Sequence, residues 1–187
     1  MPVDLPQDLP KELPPLRRIV TGYNAQGRSF FEADGPSPAQ KTVPARPGYR
    51  VTNLWRTEPL GTITTPDSIA QHVGVLPPKD GTVIRIIEWP AEPEDPAELK
   101  RQMERTFAVM FPDAHRDIKP GDHPGMHTTD TVDYALVMEG EIVAIMEEGE
   151  TVMRQGDVLI QRGTPHAWAN RSGKAVKVAF ILVDTKR

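Results

Sequence analysis

The rhythm of apolar and polar positions changes once along this chain, near residue 112. Beyond it, short alternating or β-branched runs recur, each closed by a turn. Runs at 133–138, 142–146, 151–154, 158–161, 166–170 and 175–183 are separated by Glu139-Gly140, Glu147-Glu148-Gly149-Glu150, Gln155-Gly156-Asp157, Arg162-Gly163-Thr164-Pro165 and Arg171-Ser172-Gly173-Lys174. Short strands with turn signals every 8 to 12 residues or so predict a sandwich or barrel. Closure would also protect the edges that such strands expose.

The first half is less regular. Residues 82–89 are β-branched and apolar, which predicts a buried strand, and 49–57 predicts another. Residues 17–23 and 28–33 flank Asn24-Ala25-Gln26-Gly27, a hairpin signal with glycine near the position that needs positive φ. Residues 35–48 are proline-rich and read as loop. So does most of 58–80, where a short helix is expected to start at Thr65 with Pro66 in its first turn. The plainest helix signal is Asp95-Pro96-Ala97-Glu98, an N-cap residue followed by a first-turn proline and a glutamate at the third position. Leu99, Met103, Phe107 and Met110 or Phe111 follow at helical spacing until Pro112 ends the run. This amphipathic helix is expected to cover the barrel; a lid or dimer contact is the alternative.

Residues 1–16 repeat an acid-Leu-Pro unit every four residues, which excludes a helix interior and a central strand. Two readings stay open, an arm whose leucines dock on its own barrel or a neighbour's, and a frayed tail. The expected organisation is an N-terminal arm, 1–16, and one all-β domain, 17–187.

Composition narrows the function. The 187 residues suffice for one core without disulfides, and no cysteine is present, so thiolate ligands and a cysteine nucleophile are excluded. The start of the chain has neither a basic nor an apolar segment, so no secretory signal is expected. No apolar run approaches the length of a membrane helix. The formal charge of −4, with Lys and Arg scattered, gives no basic patch for nucleic acid. A cytoplasmic protein without nucleic-acid or membrane partners is expected.

Candidate chemistry gathers in two stretches. In a regular strand His127, Thr129 and Asp133 point the same way, because side chains alternate with period two. Asp133 stands among Val132, Tyr134, Ala135, Leu136 and Val137. Burying it unpaired would cost several kcal/mol. It must face water, pair with a cation such as Arg85, or bind a metal. His166 follows a Gly-Thr-Pro turn that aims it, and Trp168 shares its face by parity. His123 replaces His127 if the register is shifted. His72 and His115 sit in predicted loops and are expected to be solvated; Tyr134 is expected in the core, and Asn170 in a structural role.

These stretches resemble the two motifs of the cupin superfamily. The first, G-x5-H-x-H-x3-E-x6-G, is matched by Gly121, His127, Asp133 and Gly140, with Thr129 where the second histidine belongs. The second is matched by Gly156-Asp157, Gly163, His166 and Asn170, with Gln161 in place of the usual proline and a spacing one residue short. The resemblance covers roughly residues 120–185. It implies an all-β fold, the cupin-type double-stranded β-helix or jelly-roll barrel. It also implies a divalent metal held by His127, Asp133 and His166. Two histidines and one carboxylate form the facial triad of non-haem iron, so Fe(II) leads, and Mn, Ni, Co or Zn also fit. Thr129, Trp168, Arg85 and Gln161 are expected around a small-molecule substrate pocket. A dioxygenase acting on a small organic acid or aromatic compound is the leading expectation by family analogy, with a lyase, decarboxylase or isomerase behind it. A binding module without catalysis is the alternative from another class, and a homodimer is expected by the same analogy.

Overall fold

The computed structural model describes residues 15–59, 61 and 65–186. The repeat at residues 1–14, and with it the question of a docked arm, lies outside the described residues.

Eleven strands and one α-helix follow one another among these residues. β1 (Arg17–Tyr23) and β2 (Ser29–Pro36) form a separate two-stranded hairpin. β3 (Ala39–Thr42), β4 (Arg50–Thr57), β5 (Thr82–Trp89), β6 (Thr131–Glu139), β9 (Val158–Arg162) and β11 (Val176–Asp184) make a six-stranded sheet in the order β3-β4-β5-β11-β6-β9. β7 (Glu141–Met146), β8 (Glu150–Arg154) and β10 (His166–Ala169) make a three-stranded sheet in the order β10-β7-β8. Every pairing is antiparallel. This is the jelly-roll barrel that the turn spacing and the motif resemblance predict.

Alternation explains which residues fill it. Val83, Ile87 and Trp89 of β5 point inward with Ala135 and Val137 of β6 and Val178, Phe180 and Leu182 of β11. They meet Ile142, Ala144, Met153 and Trp168 from the smaller sheet. The alternation is strict on β6, where Tyr134 and Met138 face outward at 41% and 44% exposure. Tyr134 is therefore a surface residue rather than a core one. Gly140 turns β6 into β7 at φ 79°, where a Cβ would also lie 3.2 Å from the Ala175 carbonyl oxygen. Only glycine suits that position without strain.

α1 (Pro96–Met110) begins as the capping signal predicts, with the Asp95 side chain accepting from the Ala97 N–H at 3.0 Å. Its buried face, Met103, Thr106, Phe107 and Met110, closes the barrel. Two expectations for the first half are corrected. Part of 35–48 is the edge strand β3, whose residues pair with β4 from Ala39↔Asn53 to Thr42↔Arg50. The prolines beside it are tolerated because an edge strand needs partners on one side only. No helix starts at Thr65: the described residues there form a single 3₁₀ turn, Ile69–Gln71, with the Asp67 carboxylate accepting from the Ile69 N–H at 2.9 Å.

No helix among the described residues is long and apolar enough to cross a membrane. Asp95→Ala removes the helix cap and is expected to cost about 1 kcal/mol of stability; urea unfolding curves of the two proteins measure it.

Candidate functional site

Two backbone hydrogen bonds bring the histidines together. The His127 N–H donates to the His166 carbonyl at 2.9 Å, and the His166 N–H returns a bond to the His127 carbonyl at 3.0 Å. In such an antiparallel pair, opposed side chains leave on the same face. The two ring centroids lie 4.3 Å apart.

Both rings are oriented by the same local device. Nδ1 of His127 lies 2.9 Å from the Gly125 carbonyl oxygen, and Nδ1 of His166 lies 2.9 Å from that of Thr164. A carbonyl only accepts, so each Nδ1 carries the proton and each Nε2 keeps a lone pair. Burial holds both rings neutral. It pulls the His127 pKa down to about 4, with the Arg116 guanidinium pulling the same way. It pulls His166 down to about 3, with His127 adding to the effect.

The pair opens onto a cavity inside the barrel that Thr129, Asp133 and Trp168 also line. These are residues named from the sequence, and they share the cavity although regular strand begins only at Thr131. Trp168 stands edge-on to His166, with centroids 6.0 Å apart. Thr129 accepts from the Thr131 hydroxyl at 2.8 Å. The helix contributes Met103, Thr106 and Phe107 to the roof.

Asp133 is 5% exposed, and its Oδ1 has no hydrogen-bond partner. Burial pushes its carboxyl up to about 6, against the opposing pull of the Thr131 hydroxyl and the Arg85 guanidinium. Among the described residues no three His, Asp or Glu side chains are grouped closely enough to grip an ion together. The two histidines are therefore paired, and Asp133 lines their cavity without joining them in one tight cluster.

Other sequence expectations land differently. Arg85 lines the cavity, but its Nη atoms serve the Gly74 and Val75 carbonyls at 3.3 and 2.7 Å and His72 Nε2 at 3.1 Å. It pins the 72–75 segment rather than forming an ion pair with Asp133. His72, expected in solvent, is 3% exposed, because Arg85 reaches it from the adjacent strand. Burial brings its pKa down to about 4. Gln161 sits opposite Asp133 across the β6–β9 pair, yet it is not part of the cavity wall. Its Oε1 is taken by the Thr164 hydroxyl at 2.6 Å and the Arg162 N–H at 2.9 Å, so it braces the turn before His166. His123 is held by Glu92 at 3.1 Å and does not replace His127. Asn170, fully buried, bonds the Trp89 and Lys174 carbonyls, as a structural residue should. The sequence reading missed Arg46 and Tyr49, which also line the cavity. Arg46 lies in the proline-rich segment with no periodicity to betray an inward face, and Tyr49 stands at the very start of a predicted strand, where alternation is not yet established.

Comparison with known proteins agrees with this architecture. The sequence profile described as "Cupin domain" matches residues 114–183. Phomopsin biosynthesis cluster protein C' of Diaporthe leptostromiformis is 30% identical over 179 residues, covering 90% of this chain and 78% of that protein. The chain belongs to the cupin family. The cupin-domain-containing oxidoreductase srdD of Neurospora crassa is 39% identical to this cupin over 74 residues, 37% of this chain and 38% of that protein. Among solved structures, the Schizosaccharomyces pombe Cnp3 cupin domain overlays 90% of this cupin and 87% of its own chain, with a TM-score of 0.46 and 10% identity.

The state of Asp133 gives a pH signature. Its carboxyl is raised in the folded protein from 3.8 to about 6, so the protonated form is the one that folding favours. Stability from this group is full below pH 4 and is lost as pH rises through 6. In chelator-treated protein, Asp133→Asn is expected to match the native protein at pH 4. At pH 7.5 it should exceed it by about 2–3 kcal/mol, read from denaturant titrations at both pH values.

Proposed function

We propose that this cupin is a metal-dependent oxidoreductase acting on a small molecule held inside the barrel. One observation carries the reading: two neutral imidazoles stand side by side, each with Nδ1 committed to a carbonyl and Nε2 free, at the wall of an apolar cavity. Fixing the far nitrogen on a backbone carbonyl is how metal-ligating histidines are commonly oriented. The donor chemistry fits a divalent cation, and so does the unpartnered Oδ1 of Asp133 on the same cavity. His127 and His166 would hold the ion, and Asp133, on the same cavity but outside their cluster, would supply negative charge near it and accept a hydrogen bond from what the ion binds. Fe(II) leads the candidates, because open positions beside nitrogen and carboxylate donors suit oxygen chemistry.

A bound metal of this kind would supply Lewis acidity or oxygen activation. The chain's own residues would do the rest. The His127–His166 bridge fixes the two donors. Trp168 and Phe107 keep water from one side of the cavity. Asp133, buried with its Oδ1 unpartnered, would offer an acceptor to a hydrogen-bond donor on the bound molecule. Support from relatives is narrower: several share the cupin segment and carry the name oxidoreductase, over about a third of this chain.

A second reading, a barrel that binds a small molecule without catalysis, is favoured by one feature, the absence of a three-residue ligand cluster among the described residues. Elemental analysis of the purified protein separates the two. Stoichiometric Fe, Mn, Ni, Co or Zn is expected, with at least a tenfold loss of affinity in His166→Ala and in His127→Ala. A metal-free native protein that takes up none of these ions on titration would leave the binding module as the function.

A further inference from the structure

Glu92 touches both of the histidine-bearing stretches. Its N–H donates to the Asn170 carbonyl at 2.9 Å, four residues beyond His166. Its carboxylate holds His123 Nε2 at 3.1 Å, four residues before His127. Both side chains are buried, each 9% exposed, and neither lines the cavity.

His123 carries the connection inward. Its Nδ1 accepts from the Gly125 N–H at 3.0 Å. A backbone N–H only donates, so Nδ1 keeps its lone pair, and Nε2 carries the proton that Glu92 accepts. The carbonyl of the same Gly125 accepts from Nδ1 of His127 at 2.9 Å. One glycine is thus held at its nitrogen by one imidazole while its oxygen orients the next. That N–H and that C=O belong to neighbouring peptide planes, so what passes along the chain is position rather than charge.

The local sequence makes room for this contact. A Cβ on Gly125 would lie 3.0 Å from His123 Nδ1 and 3.5 Å from the Met103 sulfur. The φ of Gly125 is not positive, so close approach and not backbone conformation calls for glycine here. A buried carboxylate–imidazole pair is a poor way to gain stability, because an apolar pair would close the same turn without desolvating either group. The opposite histidine has a brace of the same kind: Gln161 accepts from the Thr164 hydroxyl at 2.6 Å, and the Thr164 carbonyl orients His166. Both residues whose carbonyls orient a ring are therefore held from outside the cavity.

We propose that Glu92 and His123 are positioning residues for the metal centre, which act through Gly125 to fix the direction of the His127 Nε2 lone pair. This rests on the reading of His127 and His166 as metal ligands, and it adds the pair of side chains that aims one of them.

The test reads the imidazole protons of His127 and His166 by NMR in metal-free, histidine-labelled full-length protein, then measures Co(II) affinity by absorption titration. In the native protein both Nδ1 protons are expected downfield and slow to exchange. His123→Leu removes the acceptor for the Gly125 N–H. It should shift and broaden the His127 signal and leave the His166 signal in place, which also reports that the barrel is folded. His123→Asn returns an acceptor near the position of Nδ1 and should restore the signal. Co(II) affinity should fall about tenfold in His123→Leu and largely recover in His123→Asn. Glu92→Gln keeps an acceptor for His123 Nε2 and should stay close to native. Gly125→Ala, which pushes His123 away by a few tenths of an ångström, should move the His127 signal in the same direction as His123→Leu, by less. An unchanged His127 signal in Gly125→Ala would overturn the proposal even if His123→Leu did not fold. So would a folded His123→Leu whose losses His123→Asn does not recover. The NMR measurement needs no metal, which keeps the two proposals apart. A His127 signal that moves in a protein without Co(II) affinity upholds the brace and removes the metal; native Co(II) binding that His123→Leu leaves untouched does the reverse.

Discussion

The site depends on a pair of reciprocal hydrogen bonds between two residues that are 39 positions apart, the backbone bridge between His127 and His166. Neither residue lies in the middle of a long ladder. His127 comes just before β6, and His166 is the first residue of β10. The bridge therefore ties the lead-in to β6, in the six-stranded sheet, to the start of β10, at the edge of the three-stranded one, so one backbone contact both joins the two sheets and pairs the imidazoles. Because both rings also bond a carbonyl two residues upstream, the turns Gly125 and Thr164 set the ring angles. Gln161 then steadies Thr164, so a residue outside the cavity wall still fixes what happens inside it.

Polar groups inside the barrel divide into those the fold uses and those it leaves open. Arg85, His72 and Asn170 are buried, and each finds partners that fasten a loop to a strand. Asp133 Oδ1 and the guanidinium of Arg46 do not reach a partner of opposite charge. Burial is unfavourable for both. They sit on the same cavity as two imidazoles with free lone pairs. A fold that kept such groups for its own stability would have paired them with each other or replaced them by apolar residues.

Much of this was legible in the sequence where a physical rule leaves a period or a fixed spacing. Strands β6 to β11 follow from alternation and glycine turns, and α1 from the Asp95-Pro96 cap. The motif spacing singled out His127 and His166, and the fold pairs them because each follows a turn that aims its ring. β3 was not legible, since four residues between prolines carry too little alternation to show. Burial of His72 was hidden for a different reason: it depends on Arg85, which comes from another strand. The inward face of Arg46 likewise depends on Met103, which comes from the distant helix α1. The grouping of Asp133 with the histidines was inferred from period two, which gives the face but not the distance.

His127 and Thr129 have a second side. Besides the inner cavity they border an outer polar cleft shared with Asp113, His115, Lys119 and Glu147. The imidazole thus forms part of a partition, with hydrocarbon and ring edges behind it and charged, hydrated side chains in front. A reaction centre in such a partition can be supplied from two directions. A greasy guest can occupy the interior chamber while a small hydrophilic co-reactant, or a departing proton, travels through the wet antechamber without the guest having to leave.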